Sequence, residues 1–491
     1  MRLLTLLLVV PAATGLACGF VRSRRAMAGL GVLAFGTTLA LGIGLLRQVL
    51  ARGTVTEWGE FLRADALSAW MVLLIGAVSL ATSLYAGRYF ERDLAAGAIS
   101  PGRVREFFVL TPLFATGMYL VVLANSLGVM WAAVEATALS SVLLVALYNR
   151  RTSLEAAWKY VMLGSLGLAL ALLGTVFLYA AACHNNPRPI PSFNWSYLMT
   201  VAPQLDPRLV QLAFVLALLG YGTKAGLAPM HTWLPDAHSE APSPTSAMLS
   251  GVSLKIALYA LLRFHILTTA CLGTGFSRHL LLGFGLLSLF LAAPFILVQR
   301  NLKRMFAYSS LEHVGLICTG FGLNSPLTIV GALLHMGYHA LTKPVLFFGA
   351  GNIHQTYHTL ELRLIGHGVV KTLPATVLLM GLAAVAATGL PPFGLFVSEL
   401  TIISGGIAAG HVIVSILVLL ALIACFCGIL IQLTRILPGQ PRQKLAHDGR
   451  PMDGVPAMAL LLGGLSVFSV WLPAPLLEVM SRAAAIIGGR T

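Results

Sequence analysis

Apolar runs of about 20 residues, the length a helix needs to cross a bilayer, recur from one end of this chain to the other. A chain built this way can satisfy its backbone polar groups in lipid only as a bundle of helices. Of its 491 residues, 57% are hydrophobic and 10% charged, where a soluble domain carries about 25% charged. The fold class expected is an all-α polytopic membrane protein. Fourteen spans are predicted, at about 3–21, 27–50, 64–88, 107–124, 127–148, 154–182, 209–229, 244–266, 279–298, 302–323, 326–349, 373–406, 412–436 and 454–482. The basic cluster Arg22, Arg24 and Arg25 follows the first run instead of preceding it, the reverse of a secretory leader, so that run is taken as a span.

The net charge of +15 does not point to nucleic acid, because the basic residues form no patch with interleaved aromatics. They sit in short clusters between apolar runs. With the N-terminus outside, the inner loops hold 18 basic residues and the outer side ten. That bias places both termini on the outer side of the membrane. The longest loop, 183–208, is expected to be an outer cap. Cys18, Cys183, Cys271, Cys318, Cys425 and Cys427 form no CxxC pair and are read as packing residues, not as zinc or iron–sulfur ligands.

Two spans are interrupted, the seventh at GLAP (226–229) and the twelfth at GLPP (389–392). The breaks lie five helices apart, and an odd offset gives the two units opposite orientation, which points to an inverted repeat. The domain division expected is 1–106 (helices 1–3), 107–266 (first repeat, helices 4–8), 267–436 (second repeat, helices 9–13) and 437–491 (helix 14). The polar stretch WLPDAHSEAPSP after the first break is read as a loop in which Asp236, His238 and Glu240 cap or gate.

Ionisable residues fall inside the apolar runs. Glu135 is in the middle of the fifth span, Lys224 in the seventh and Lys255 in the eighth. His313 is in the tenth; His335, His339 and Lys343 lie four apart on one face of the eleventh; Glu399 follows the second break. Charges at this depth are costly and mark function. Lysine and glutamate in a dry site shift toward neutrality and histidine already titrates near neutral pH, so such a row can be loaded and unloaded with protons. The expected relay is Glu135, Lys224, Lys255, His313, His335, His339 and Glu399. Lys343, Asp236 and His238 are read as relay or structural. For Lys343 the bland reading is snorkelling to the inner surface, and for a lone histidine an interhelical hydrogen bond. Glu155 and Lys159, four apart, read as a structural ion pair. The His335/His339 pair has no adjacent carboxylate for a metalloprotease-type site, haem would want histidine pairs on two helices, and no phosphate-binding loop occurs. No cofactor or metal site is expected in this chain.

The segments KAGLAPMHTWLPDAHSEAPSPTSAMLSGVSLK, RMFAYSSLEHVG, HMGYHALTKPVLFFGAG and GLPPFGLFVSE resemble the antiporter-like subunits shared by respiratory complex I, membrane-bound nickel–iron (NiFe) hydrogenases and multisubunit Na⁺/H⁺ antiporters. The wording is most similar to the F-type membrane subunit of hydrogenase-4 and formate hydrogenlyase-like complexes. The resemblance implies fourteen helices with inverted repeats at helices 4–8 and 9–13. It carries the family's fifth-helix glutamate onto Glu135, its seventh- and eighth-helix basic residues onto Lys224 and Lys255, its histidines onto His313, His335 and His339, and its twelfth-helix terminal residue onto Glu399. It also implies other membrane subunits and a peripheral iron–sulfur redox module as partners, NiFe hydrogenase among them, in a bacterial inner membrane. The alternatives are a Na⁺/H⁺ antiporter subunit and, from another class, a quinone-binding redox subunit.

Overall fold

The computed structural model describes residues 2–184, 192–439 and 454–489. Every expected span is helical there. In chain order they are Leu3–Phe20, Arg24–Arg52, Ala66–Ala95, Pro101–Leu123, Leu127–Val145, Arg151–His184 and Pro207–Ala225. The eighth runs through Ser243–Leu272, followed by Gly275–Val298, Leu302–Leu323 and Pro326–Tyr357. The twelfth is the pair Pro374–Ala387 and Gly394–Ala408, the thirteenth Val412–Ile436, and the fourteenth Val455–Val470 with Ala474–Ile487. Among the described residues nine helices are long and apolar enough to cross a membrane, ten if the last pair counts as one. The seventh, tenth and eleventh, which carry Lys224, His313, His335, His339 and Lys343, are not among them, whereas the eighth, which carries Lys255, is. The chain is a multi-pass membrane protein.

Local sequence sets the ends. Asp65, Asp206 and Asn301 accept backbone N–H groups at the starts of their helices, and Ser325 and Thr328 close a capping box over Pro326. The seventh span stops at Ala225 because Gly226 takes a left-handed conformation. The two breaks expected from sequence are present at 226–232 and 388–393, and each contains a cis prolyl bond, Ala228–Pro229 and Pro391–Pro392.

The structure departs from the sequence reading in one place and adds to it in three. The stretch taken as a polar loop after the first break is helical, Trp233–Glu240 and then Ser243–Met248, with His238 fully buried. Its polarity signals a protein-enclosed position, not solvent. Part of the 183–208 loop is helical, Trp195–Val201, while 185–191 lie outside the described residues, as do Arg188, Arg442, Lys444, Arg450 and Arg490 of the charge comparison. The fourteenth span is not straight: it bends by 78° between Val470 and Ala474, where Pro473 and Pro475 cannot supply helical N–H groups. The segment before the third span holds a small hairpin, Val55–Glu57 paired antiparallel with Leu62–Ala64.

The helices sort by enclosure. Every residue from Ser243 to Thr269 is buried, and so is nearly all of the tenth and eleventh spans. The thirteenth is only 33% buried and presents Ile413, Ile416 and Leu420 outward. The most polar spans therefore sit where protein, not lipid, surrounds them, which is where intramembrane charge is tolerated. On the side reached by the start of the third span, Arg263 donates to both carboxylate oxygens of Asp65 at 2.7 and 2.8 Å. Arg63 reaches the same acid at 2.8 Å, and the Arg263 guanidinium lies 4.6 Å from the Trp195 ring centre and 4.8 Å from that of Tyr259. This buried, bidentate pair ties the hairpin, the third and eighth spans and the 195–201 helix together.

Candidate functional site

The buried residues of the expected relay form one continuous group and one outlier. The continuous group begins at Lys255. Residues Leu249–Ser253 form a π-helical turn just before it. The Lys255 ammonium donates to the Ser250 carbonyl of that turn at 2.5 Å and also bonds His339 Nδ1. His339 meets His313 edge-on, with ring centres 4.7 Å apart. His313 Nδ1 lies 2.9 Å from His335 Nε2, and His335 Nδ1 lies 2.9 Å from Ser398 Oγ. Ser398 adjoins Glu399 on the helix that starts after the second break, and Glu399 is 8% exposed. Lys255, His313, His335 and His339 are fully buried. A neutral imidazole offers one N–H and one acceptor, so linked imidazoles and hydroxyls pass a proton along by exchanging those roles.

Lys224 is the outlier. It is 2% exposed, bonds the Tyr160 hydroxyl, and sits 4.8 Å from the centre of that ring. Tyr160 is 2.8 Å from Ser141 Oγ and stacks on Trp233, whose indole donates to the Thr223 carbonyl at 2.8 Å. The helix after the first break thus supplies the platform that holds Lys224. Glu135 is not buried. It is half-exposed because it borders the outward stripe Ala132, Ala136, Leu139 and Leu143 of the fifth span. It feels the charge of Lys224, but no ion pair joins them among the described residues.

Lys343 does not snorkel. It is fully buried and donates to Ser309 Oγ at 2.7 Å and to the Phe306 carbonyl at 3.2 Å. Asp236 does not cap. It pairs with Arg304 and, at 3.2 Å, with Lys159, which also meets Glu155 at 2.8 Å as expected. His238 stacks on Phe347 at 4.9 Å, and neither of its ring nitrogens has a hydrogen-bond partner among the described residues. Glu312, which the sequence reading passed over, is 2% exposed. It lies within electrostatic reach of Lys343, Cys425 and Glu399. A carboxylate inside the tenth span, one residue before His313, was its signal in the sequence. Among the described residues His313, His335 and Glu399 place ligand-type atoms within 4.8 Å of one another. This grouping differs from the His335/His339 pair considered from sequence; the imidazoles of His313 and His335 bond each other and Ser398.

Residues 124–424 match the family described as NADH:quinone oxidoreductase/Mrp antiporter, TM. The hydrogenase-4 component F homolog of Methylacidiphilum infernorum is 38% identical over 384 residues, covering 78% of this chain and 80% of that protein. The NADH-quinone oxidoreductase subunit N of Desulforudis audaxviator is 32% identical over 441 residues, covering 88% and 84%. The fold is also that of a chain of the membrane-bound sulfane sulfur reductase, an archaeal respiratory membrane complex (TM-score 0.86, 24% identity, 99% and 98% covered). A chain of the Mrp complex from Dietzia sp. superposes as well (TM-score 0.84, 21% identity, 99% and 97% covered). With its family match spanning the buried Lys/His/Glu group, this chain belongs to the NADH:quinone oxidoreductase/Mrp antiporter transmembrane family.

Proposed function

We propose that the chain is a proton-translocating, antiporter-like subunit of a membrane-bound respiratory-type oxidoreductase complex of the hydrogenase-4 or complex I kind. The observation that carries this reading is the fully buried run Lys255–His339–His313–His335–Ser398, ending beside Glu399. Protons reach Lys255 from the inner side, pass along the imidazoles and leave toward the outside near Glu399. Lys224, tuned by the half-exposed Glu135, couples this run to a neighbouring subunit. Residues 107–266 and 267–436 act as the two inverted units, each contributing one broken helix. Redox energy comes from other subunits, among them an iron–sulfur module and, in the hydrogenase version, a NiFe hydrogenase. The chain lies in a bacterial inner membrane with both termini on the outer side.

The test is Lys255→Ala or Glu399→Ala in the intact complex reconstituted into vesicles. Pumping is expected to disappear while electron transfer and assembly persist; normal pumping by both variants would sink the relay. Activity that follows a Na⁺ gradient would move the assignment to a Na⁺/H⁺ antiporter.

A further inference from the structure

A second polar cluster lies where the third, fifth and eleventh spans end, on the face that carries Arg150 and Arg151. Asp93 is 5% exposed and anchors it. One of its carboxylate oxygens accepts from the Tyr148 hydroxyl, the other from Gln355 Nε2 at 2.8 Å. Tyr148 and Tyr89 hydroxyls are 2.7 Å apart, and Tyr89 in turn accepts the Ser243 backbone N–H at 3.5 Å. Ser243 opens the eighth span, the helix that carries Lys255. Tyr148 and Gln355 are half-buried and Arg150 beside them is exposed, so the cluster reaches the surface.

Between Ser243 and Lys255 the interior is polar and only partly paired. Thr245 Oγ1 and both ring nitrogens of His238 are buried with no hydrogen-bond partner among the described residues. Ser246 donates to the His238 carbonyl at 2.9 Å, and Ser250 Oγ lies 2.8 Å from Ser310 Oγ. Ser243, Ser246, Ser250 and Ser253 recur at three- and four-residue steps, so they line one helix face ending at the turn that holds Lys255. Buried polar atoms that protein leaves unpaired are satisfied by water.

We propose that Asp93 is the uptake residue for the protons this chain moves, and that the Tyr148–Tyr89 hydroxyl pair, His238 and the hydroxyl face of the eighth span carry them to Lys255. The inference rests on the proton-translocation reading. Asp93 binds a proton arriving from the surface. The two tyrosine hydroxyls pass one on by donating and accepting in turn, and hydrated Ser243, Thr245 and His238 continue the path. The proton ends on Lys255, and Asp93 returns to its ionised form.

The experiment uses the intact complex in vesicles, with pumping measured per electron transferred. Asp93→Asn keeps one oxygen to accept from Tyr148, loses the one that accepts from Gln355 and cannot carry a proton, so a merely structural acid would lose part of its hydrogen bonding and no more. Pumping is expected to fall on the order of 100-fold, with Asp93→Glu recovering it and electron transfer intact. Tyr148→Phe should lower pumping in the same direction, and it decides the matter if Asp93→Asn does not assemble. Wild-type pumping by Asp93→Asn alongside a dead Lys255→Ala overturns the uptake role alone. Wild-type pumping by both overturns the translocation reading with it.

Discussion

A Cβ on residue 389 would lie 2.0 Å from Oε2 of Glu399. Gly389 and Glu399 therefore share one space: the glycine of the second break is the wall against which the buried acid rests. Gly389 also has φ +66°, which an L-residue adopts at a cost of about 1–2 kcal/mol. Gly389→Ala should displace the Glu399 carboxylate, lower pumping severely and destabilise the protein by about 2–4 kcal/mol when strain and overpacking add. Gly381→Ala, with nothing within 4 Å of its Cβ, is the neutral control. Equal melting temperatures and equal pumping for the two variants would count against the contact.

Ser398 holds the far end of the imidazole run. Ser398→Ala leaves His335 Nδ1 buried without its partner, a loss of about 1–3 kcal/mol. It should slow pumping, whereas Ser398→Thr keeps the hydroxyl and should preserve it. Vesicle assays on the two variants separate them; equal pumping by both would remove Ser398 from the path.

Tyr160 offers Lys224 two things, a hydroxyl and a ring face. Tyr160→Phe keeps the ring stacked on Trp233 and removes only the hydroxyl. Its effect on pumping should be smaller than that of Lys224→Ala, because the cation–ring attraction, about 0.5–2 kcal/mol, survives. A Tyr160→Phe defect equal to the Lys224→Ala defect would show that the hydroxyl alone matters.

Asp65 and Arg263 predict how the fold responds to acid. Burial pushes the Asp65 carboxyl up, but the guanidiniums of Arg263 and then Arg63 outweigh it and hold it well below the usual carboxylate range. A depressed folded value means the pair stabilises fully above the unfolded value of about 3.9 and loses that contribution as pH falls from there through the folded value. Wild-type protein in detergent should lose melting temperature as pH drops below about 4, and part of that loss should be missing in Asp65→Asn. At neutral pH Asp65→Asn should cost about 3–5 kcal/mol, because Arg263 is left buried and unpaired. A melting curve for Asp65→Asn that tracks wild type at every pH would contradict this.

What the sequence made legible was local. The helix breaks could be found because Gly226, Pro229, Gly389 and Pro391 act through their own backbone chemistry. The ionisable residues stood out because lipid-length runs have few charges. The misjudged features depend on tertiary context. His238 and Asp236 lie in a polar stretch that looks like a loop until neighbouring helices enclose it. Lys343 sits far enough along its helix to look like a snorkelling residue, and only the tenth span at Ser309 and Phe306 shows that it turns inward. Glu312 neighbours His313 and so points elsewhere around its helix; its relation to Lys343 and Glu399 requires the fold. Asp93 ends a helix with other charged residues close by in sequence, and nothing local separates it from a surface acid.

The π-helical turn at Leu249–Ser253 has a consequence for how this site can be lost. A π-turn places one extra residue in a helix, and each residue adds about 100° of rotation. The direction in which Lys255 points is therefore fixed by a count of residues and not by the choice of any one of them. Rewinding 249–253 as regular α-helix with the same residues would rotate Lys255 about 100° off His339 with every ionisable side chain still present. Deleting one of those residues would instead restore regular winding and leave the ammonium facing the histidine. In a related chain that lacks the extra residue, a basic group meeting the same histidine sits one residue closer to the start of the helix, so letters aligned without a gap do not guarantee aligned chemistry.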